Sequence, residues 1–342
     1  MNATIGDRLS FVNPIAVNRC YQVGYSILFL LGFPGNLASL FTFSRASLRK
    51  LSTACLFIAL AIFDTLYLFM CIFDYLEFGF SVSLYGRLSY GEFCRFRYFV
   101  MHAAQFASAW ILVVVSIDRW VRTRFPFKSN LICTPAKGLI AVGVVLIIDV
   151  ALHFHLLTRW FGMLVPGLAI AACGPSFAQQ SYTIFYFMFW SIIQIITTCI
   201  IPAMIMFFIV IDILVSVHVR KQAFVRPIHA FAVGRNAQHR RAVNRQMLIL
   251  TIGSVCFFFV TALPVGIYKI ISPRDSNLIN NYLSIITIWT GLGWLQSLFH
   301  AVNFYVHCLC SNLFRREFQL QVKYMVGQKE TRVQKIEIVC RE

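Results

Sequence analysis

Six windows along the chain are free or nearly free of charge for about 20 residues or more, the length that crosses a bilayer core as a helix. They are 20–44, 51–73, 98–117, 138–158, 246–268 and 276–314, the second broken by Asp64 and the fourth by Asp149. The interval 160–211 holds no charged residue at all and is too long for one helix. Its first part, GMLVPGLAIAACGPS, carries the Gly and Pro residues of a loop. That leaves a further span from about Ser181 into Val217. The pattern predicts an all-α fold, a bundle of seven transmembrane helices.

After the last span comes SNLFRREFQLQVKYMV. Its apolar positions Leu313, Phe314, Phe318, Leu320, Val322 and Tyr324 follow a helix face only in part, yet with Arg315, Arg316 and Lys323 they suit a short amphipathic eighth helix on a membrane surface. Composition agrees: 59% of residues are hydrophobic and 13% charged, where soluble domains carry about 25% charged residues. Charge then sets direction. Of 30 Lys and Arg, 22 fall on the side of the 44–51, 118–137 and 218–245 connections and the C-terminal tail, and 8 on the other. The positive-inside tendency puts the N-terminus outside and the C-terminus in the cytoplasm of a multi-pass plasma-membrane protein. The predicted organisation is an extracellular tail over 1–19, a helical domain over 20–310, and the eighth helix and cytoplasmic tail over 311–342. The tail has no apolar core of the signal-peptide kind; Asn2 heads an Asn-Ala-Thr glycosylation triplet. The net charge of +17 is a membrane-side surface, so no nucleic-acid partner is expected.

Polar residues inside the spans carry the chemistry, because each is costly in hydrocarbon. Asp64 lies mid-membrane, with Asn36 on the first helix and Asn303 on the seventh as companions. Ser108 and Arg119, three turns apart, share a face of the third helix; one water- or ion-holding cluster around Asp64 and a set of unrelated packing contacts both remain open. Cys94 and Arg119 are about 37 Å apart along a helix, so they mark the outer and inner edges of the third span. Cys173 is the other cysteine in an extracellular loop, and a Cys94–Cys173 disulfide is expected on the oxidising side. Cys308 and Cys310, at the inner end of the last span, are palmitoylation candidates. His153 and His155 point apart on a helix and cannot share a metal; Asp149, one turn from His153, suits a structural hydrogen bond. No enzyme constellation is present. No internal repeat supports a transporter, and the basic-residue asymmetry opposes an inverted seven-helix channel.

Seven spans in this orientation, with these residues, resemble the rhodopsin-like G-protein-coupled receptors from about Tyr21 to Phe318. Asn36 follows a glycine; Leu60, Ala61 and Asp64 match L-A-x-x-D. Cys94 and Asp118-Arg119 stand at the family's separation, with Pro126 beyond. Pro202, then Phe258 with Pro264, match the fifth and sixth helices, and Asn303 opens NFYVH. Departures are plain: His307 stands where a tyrosine is usual, Ala262 where a tryptophan is, and Asn244 where many relatives place an acid facing the arginine.

The resemblance implies a receptor that turns ligand binding into activation of a heterotrimeric G protein. Asp118, Arg119, Pro126, Asn303 and His307 would form the coupling switch, and Pro202, Phe258 and Pro264 the helix pivots. Asn36, Asp64, Ser108 and Asn303 resemble the family's ion and water cluster, with a sodium ion on Asp64 favouring the resting packing and no other cofactor. Met101 stands at the aminergic aspartate position, which disfavours an amine, and no lysine lies between Asn277 and Asn312 to hold retinal. Met101, His102, Gln105, Gln194, Thr198, Lys269, Trp289 and Ser297 would face the outer pocket. Rim acids Asp74, Glu77, Glu92 and Asp275 favour a basic peptide, hence a neuropeptide ligand; a lipid or other small-molecule ligand, or a weakly coupling receptor, is the alternative. Basic residues including Arg122, Arg124, Arg220, Lys221, Arg240 and Arg241 would meet membrane lipids or an acidic partner.

Overall fold

The computed structural model describes residues 15–46, 48–49, 51–80, 82, 90–164, 173–176, 178–224, 235–271 and 278–325. Within them run α1 (Ile15–Phe43), α2 (Ser52–Gly79), α3 (Tyr90–Arg124), α4 (Pro135–Leu157), α5 (Gln180–Val217), α6 (Arg235–Ile271), α7 (Leu278–Cys310) and the short α8 (Asn312–Met325). Among the described residues the first six are long and apolar enough to cross a membrane, and α7 matches them in length. Helix is the form that satisfies every backbone N–H and C=O inside hydrocarbon. α1 starts at Ile15, inside the segment assigned above to the tail, because Val17 is already buried against the bundle. The Asn2 triplet lies outside the described residues.

α3 is the hub, packing on α2, α4, α5 and α6, while α7 closes the ring against α6, α1 and α2. One apolar layer joins Ile111 and Val115 of α3 to Phe57 and Leu60 of α2, Met247 and Leu250 of α6, Phe304 of α7 and Phe314 of α8. A second joins Leu112 and Val113 to Cys199, Ala203 and Met206 of α5, Val255, Phe258 and Ala262 of α6 and Phe299 of α7. The outer faces are as apolar as the inner ones. Leu139, Ile140, Val144 and Ile147 of α4, and Phe207, Phe208 and Ile211 of α5, are exposed, which suits lipid as solvent and would be a liability in water.

Two prolines shape the ring. Pro202 has no N–H and crowds the carbonyl four residues before it; a widened π-helical turn, Ile196–Ile200, carries α5 past that clash. Pro264 lies inside α6, and the carbonyl of its neighbour Ala262 accepts from Cys199 Sγ of α5 at 3.4 Å. α8 is started by Ser311, whose Oγ accepts the Phe314 N–H at 3.2 Å. Phe314 and Phe318 tuck under the bundle and Arg45 pairs with Glu317 at 3.2 Å; Val322 and Tyr324 stay exposed, so only the first half of the expected apolar face is used.

The loop after α4 is a two-stranded hairpin, an addition to the all-α expectation. β1 (Phe161–Leu164) pairs antiparallel with β2 (Cys173–Pro175), with an irregularity between Phe161 and Met163. The expected disulfide, Cys94–Cys173, ties β2 to the start of α3. At the irregularity Gly162 has φ +100°, and a Cβ there would stand 2.5 Å from Gly91 O of α3. Only glycine satisfies both the left-handed backbone and the close approach. Gly162→Ala is expected to destabilise the protein by about 1–3 kcal/mol, read as a lower thermal midpoint of the detergent-solubilised chain; an unchanged midpoint would remove this steric argument.

Candidate functional site

At the end of the bundle opposite the disulfide, the last turns of α3 meet the first turn of α2. Asp118 Oδ2 accepts from Arg119 Nη2 at 2.5 Å, from Thr53 Oγ1 at 2.7 Å and from Arg122 Nε at 3.1 Å. Oδ1 accepts from Ser52 Oγ, and Arg119 Nη2 also donates to Thr53 Oγ1. Arg122 Nη2 donates to Ser52 Oγ and to Cys133 O, each at 2.8 Å. Arg119 keeps only 2% of its surface. A guanidinium buried this far is tolerated when its donors are matched by a carboxylate and hydroxyls. Burial first, then the Asp118 carboxylate, pushes the nearby Cys133 thiol up to about 11. A neighbouring contact ties α3 to α5: Trp120 Nε1 donates to Asp212 Oδ2 at 2.8 Å, and Arg124 Nε lies 3.4 Å from the same oxygen.

Halfway up the bundle Asp64 has no exposed surface. Its Oδ1 receives Ser108 Oγ at 2.8 Å and lies 2.7 Å from His300 Nδ1, while Oδ2 accepts Asn303 Nδ2 at 2.7 Å. Asn36 Nδ2 donates to the His300 carbonyl at 3.0 Å. Three helices, α2, α3 and α7, are thereby joined at one carboxylate, and α1 is tied to the same layer through the His300 carbonyl. A turn further toward α8, His307 sits in a box of Phe43, Phe57 and Phe314 rings, its Nε2 3.2 Å from Ser254 Oγ of α6.

Towards the disulfide end lie two small adjoining cavities, each with room for about one water molecule. Gln105 of α3, Thr198 of α5, Gln296 of α7 and Ala262 of α6 line both. Gln194 closes one side; Phe258, Phe299 and His300 form the floor of the other. Thr198 Oγ1 is buried with no hydrogen-bond partner among the described residues. The lining residues are amides, a hydroxyl, an imidazole and apolar groups, with no carboxylate or ammonium among them. Such a surface suits a neutral, hydrogen-bonding ligand group rather than a free amine.

Of the eight pocket residues expected from sequence, Gln105, Gln194 and Thr198 line these cavities, and His102 reaches them through a hydrogen bond to Gln194. Ser297 does not: it is buried, with its hydroxyl between Gly293 O at 2.8 Å and Tyr67 OH at 3.1 Å. Met101 packs against the apolar cluster formed by Tyr25, Leu28, Tyr67, Leu68, Ala104 and Ala301. Trp289 stacks edge-on with Tyr268 at 5.7 Å, above the cavities. The Lys269 side chain lies outside the described residues, as do Asp275 and the side chains of Arg220, Lys221, Arg240 and Arg241.

Among the rim acids, Asp74 is paired with Arg97, which corrects its role as a free ligand contact; Glu92 is exposed. Arg122 pairs with Asp118 and Arg124 with Asp212, the Arg124 side chain staying half exposed. Pro126 O accepts Ser129 Oγ at 2.8 Å in the turn after α3. Asn244, where an acid was looked for, is exposed; Arg119 faces α2 instead of α6. Cys310 Sγ lies 2.6 Å from where a Cβ on Gly253 of α6 would stand, and Cys308 is partly buried. Asp149 and His153 pair at 2.7 Å as expected. His155, carried round by the tighter turn Phe154–Leu157, stacks on the same Trp190 as His153.

Ser52, Thr53, Asp212, Gln296 and His300 are the residues that sequence reasoning missed. Two had a signal. Asp212 is the lone charge in its span, and His300 lies one turn before Asn303 on the same face. Ser52 and Thr53 had none, since small hydroxyls at a helix start are ordinary capping residues.

Comparison with known proteins places this arrangement. The family model described as the seven transmembrane receptor (rhodopsin family) matches residues 35–299. A galanin receptor 2b of Danio rerio is 29% identical over 138 residues, 39% of this chain and 34% of that protein. A human galanin receptor type 3 is 31% identical over 129 residues, 36% of this chain and 34% of that one. A galanin-like G-protein coupled receptor of Caenorhabditis elegans is 26% identical over 147 residues, 42% and 32% respectively. The matched stretch thus spans about a third of the length of these curated relatives.

Thr53 both donates to Asp118 and accepts from Arg119, so Thr53→Val, of the same shape, removes one hydrogen bond from each of two buried charged groups. A loss of roughly 1–3 kcal/mol is expected, measured as a fall in thermal midpoint that Thr53→Ser largely restores. Equal losses for the two variants would mean that packing, not the hydroxyl, carries the effect.

Proposed function

The chain belongs to the seven-transmembrane receptors of the rhodopsin family, and from that premise we propose that it is a G-protein-coupled receptor for an extracellular neuropeptide. The carrying observation is Arg119: a permanently charged side chain, 2% exposed, held by a carboxylate and a hydroxyl at the end of the bundle away from the disulfide. A fixed cation in so closed a cage suits a two-state contact, shut at rest and open to a partner when the helices move.

In this reading the disulfide end faces outward at the plasma membrane and the Arg119 end faces the cytoplasm, in line with the basic-residue asymmetry of the sequence. The ligand inserts beneath the hairpin into the cavities between α3, α5, α6 and α7. Its contacts with Gln105, Thr198 and Gln296 draw those helices into a different packing. Phe258, edge-on to Phe299 at 5.3 Å, and Ala262 lie beside Pro264, so pressure there is applied at the proline of α6. The far end of α6 then swings from α3, and Arg119 leaves Asp118 to meet the G protein. A ligand drives this only by binding the second packing better than the first.

Peptide is favoured over amine because no acid lines the cavities and Met101 stands at the position where an amine would need one. Relatives named for galanin, a peptide, support the same class. In cells carrying a panel of G-protein biosensors, the wild type is expected to respond to a member of a neuropeptide library, and Arg119→Ala to fall to the vector level at equal surface expression. Retained signalling in that variant would remove Arg119 from the switch. With the same peptide, Gln105→Ala and Thr198→Ala should each lower potency about 5- to 30-fold, the cost of one buried hydrogen bond; potency unchanged in both places the ligand elsewhere.

A further inference from the structure

We propose that His300 occupies, beside Asp64, the place that a sodium ion would hold in the resemblance drawn from the sequence, so that the resting packing is held without a cation. A hard cation in that place needs lone pairs on the carboxylate and a shell of oxygen donors. Here His300 Nδ1 stands 2.7 Å from Asp64 Oδ1. A proton lies between the two atoms whichever of them carries it, and the oxygen's remaining capacity goes to Ser108. Oδ2 is turned to the Asn303 amide, another N–H donor. Donors on both oxygens leave the carboxylate facing protons where an ion would require open lone pairs. Among the described residues no group of three or more His, Cys, Asp or Glu side chains is arranged to hold a metal.

The imidazole is also fixed where it stands. Tyr67 stacks on it with ring centres 4.0 Å apart, Phe299 meets it edge-on at 5.2 Å, and Asn36 holds its backbone carbonyl. Donors on both oxygens of Asp64 relieve the cost of an isolated buried carboxylate. The remaining oxygens of a cation shell are nonetheless close to hand in the same polar layer. Asn36 Oδ1 and Asn303 Oδ1 are both buried without a hydrogen-bond partner among the described residues. The imidazole is therefore the element that sets this layer apart from an oxygen cage.

His300 has a second face. It lines the cavity floor with Gln105, Phe258 and Phe299. A ligand that reaches this floor touches the side chain that holds Asp64, and its effect passes to the carboxylate through one residue rather than through release of an ion.

The test is independent of ligand and G protein. The thermal midpoint of the purified full-length protein in detergent is compared in sodium chloride and in choline chloride at equal ionic strength. Equal midpoints are expected for the wild type, whereas His300→Ser, which exchanges the N–H for a hydroxyl, should gain a sodium-specific rise that grows with the logarithm of sodium concentration. Adding Asp64→Asn to His300→Ser should abolish that rise. A sodium-specific rise in the wild type overturns the proposal, and a folded His300→Ser protein with no rise overturns the claim that the imidazole is what excludes the ion. Should His300→Ser fail to fold, the line width of the sodium NMR signal, compared between the wild type and Asp64→Asn, decides without it. Broadening that Asp64→Asn removes refutes the proposal, and the same line width in both proteins supports it.

Discussion

A carboxylate with no exposed surface at the crossing of three helices imposes a demand that the surrounding residues have to meet. Charge buried in a medium of low dielectric costs several kcal/mol unless it is paired and hydrogen-bonded. Asp64 meets the demand with Ser108 of α3 and with His300 and Asn303 of α7, while Asn36 of α1 fastens the His300 backbone. The consequence is geometric. α2, α3 and α7 cannot slide relative to one another without leaving a lone pair or a donor stranded in hydrocarbon, so the middle of the bundle has one well-defined register. The apolar layers on either side tolerate small shifts, because dispersion contacts have no direction. Stiffness in this molecule is concentrated at the polar layer, and plasticity lies above and below it.

The two ends differ in how they use that plasticity. Near the hairpin, the disulfide and the close approach of Gly162 to Gly91 fix the lid to α3, while α5 and α6 each carry a proline inside the span, Pro202 after a π-helical turn and Pro264. The partners with freedom to move at that end are the proline-containing helices lining the cavities. At the other end Asp118 and Arg119 are locked to α2 through Ser52 and Thr53. A movement of α6 therefore does not itself break the lock. It has to change the tilt of α3 against α2, or offer Arg119 a better partner than Asp118.

Which parts of this were legible in the sequence follows from contrast. A helix span, a buried charge or a loop cysteine stands out against an apolar background, and the spans, the Cys94–Cys173 pairing and the Asp118–Arg119 contact all come from such contrast. Thr53 and Ser52 do not stand out, because a hydroxyl in a helix can equally bond its own backbone four residues back; only the fold shows that these two turn toward Asp118. Ser297 and Met101 illustrate the opposite error. Their depth suits a pocket, but depth along a helix leaves its rotation open, and a rotation of one residue, about 100°, carries a side chain from cavity to helix interface. The hairpin was hidden for another reason: FGML reads as apolar loop or strand alike, and the disulfide and backbone pairing define the strand.

Asn244 sharpens the consequence of an Arg119 that faces α2. Where an acid at that position would tie α6 to the arginine, here Asn244 is exposed and the arginine's bonds go to α2 and to its own helix. What holds α6 near α3 among the described residues is Met247, Leu250 and Val255 in the apolar layers, with Ser254 reaching His307 on α7. Those contacts resist separation through close van der Waals packing, and not through a single directional bond. An interface of that kind yields gradually, so the gap between resting and active packing depends on how much apolar surface α6 exposes as it moves. Lipid reduces the gap further, because acyl chains re-cover much of what the helix gives up. In a receptor built this way, the directional bonds of the resting packing lie in the Asp64 layer and in the α2–α3 lock, while α6 is held to α3 by apolar contact.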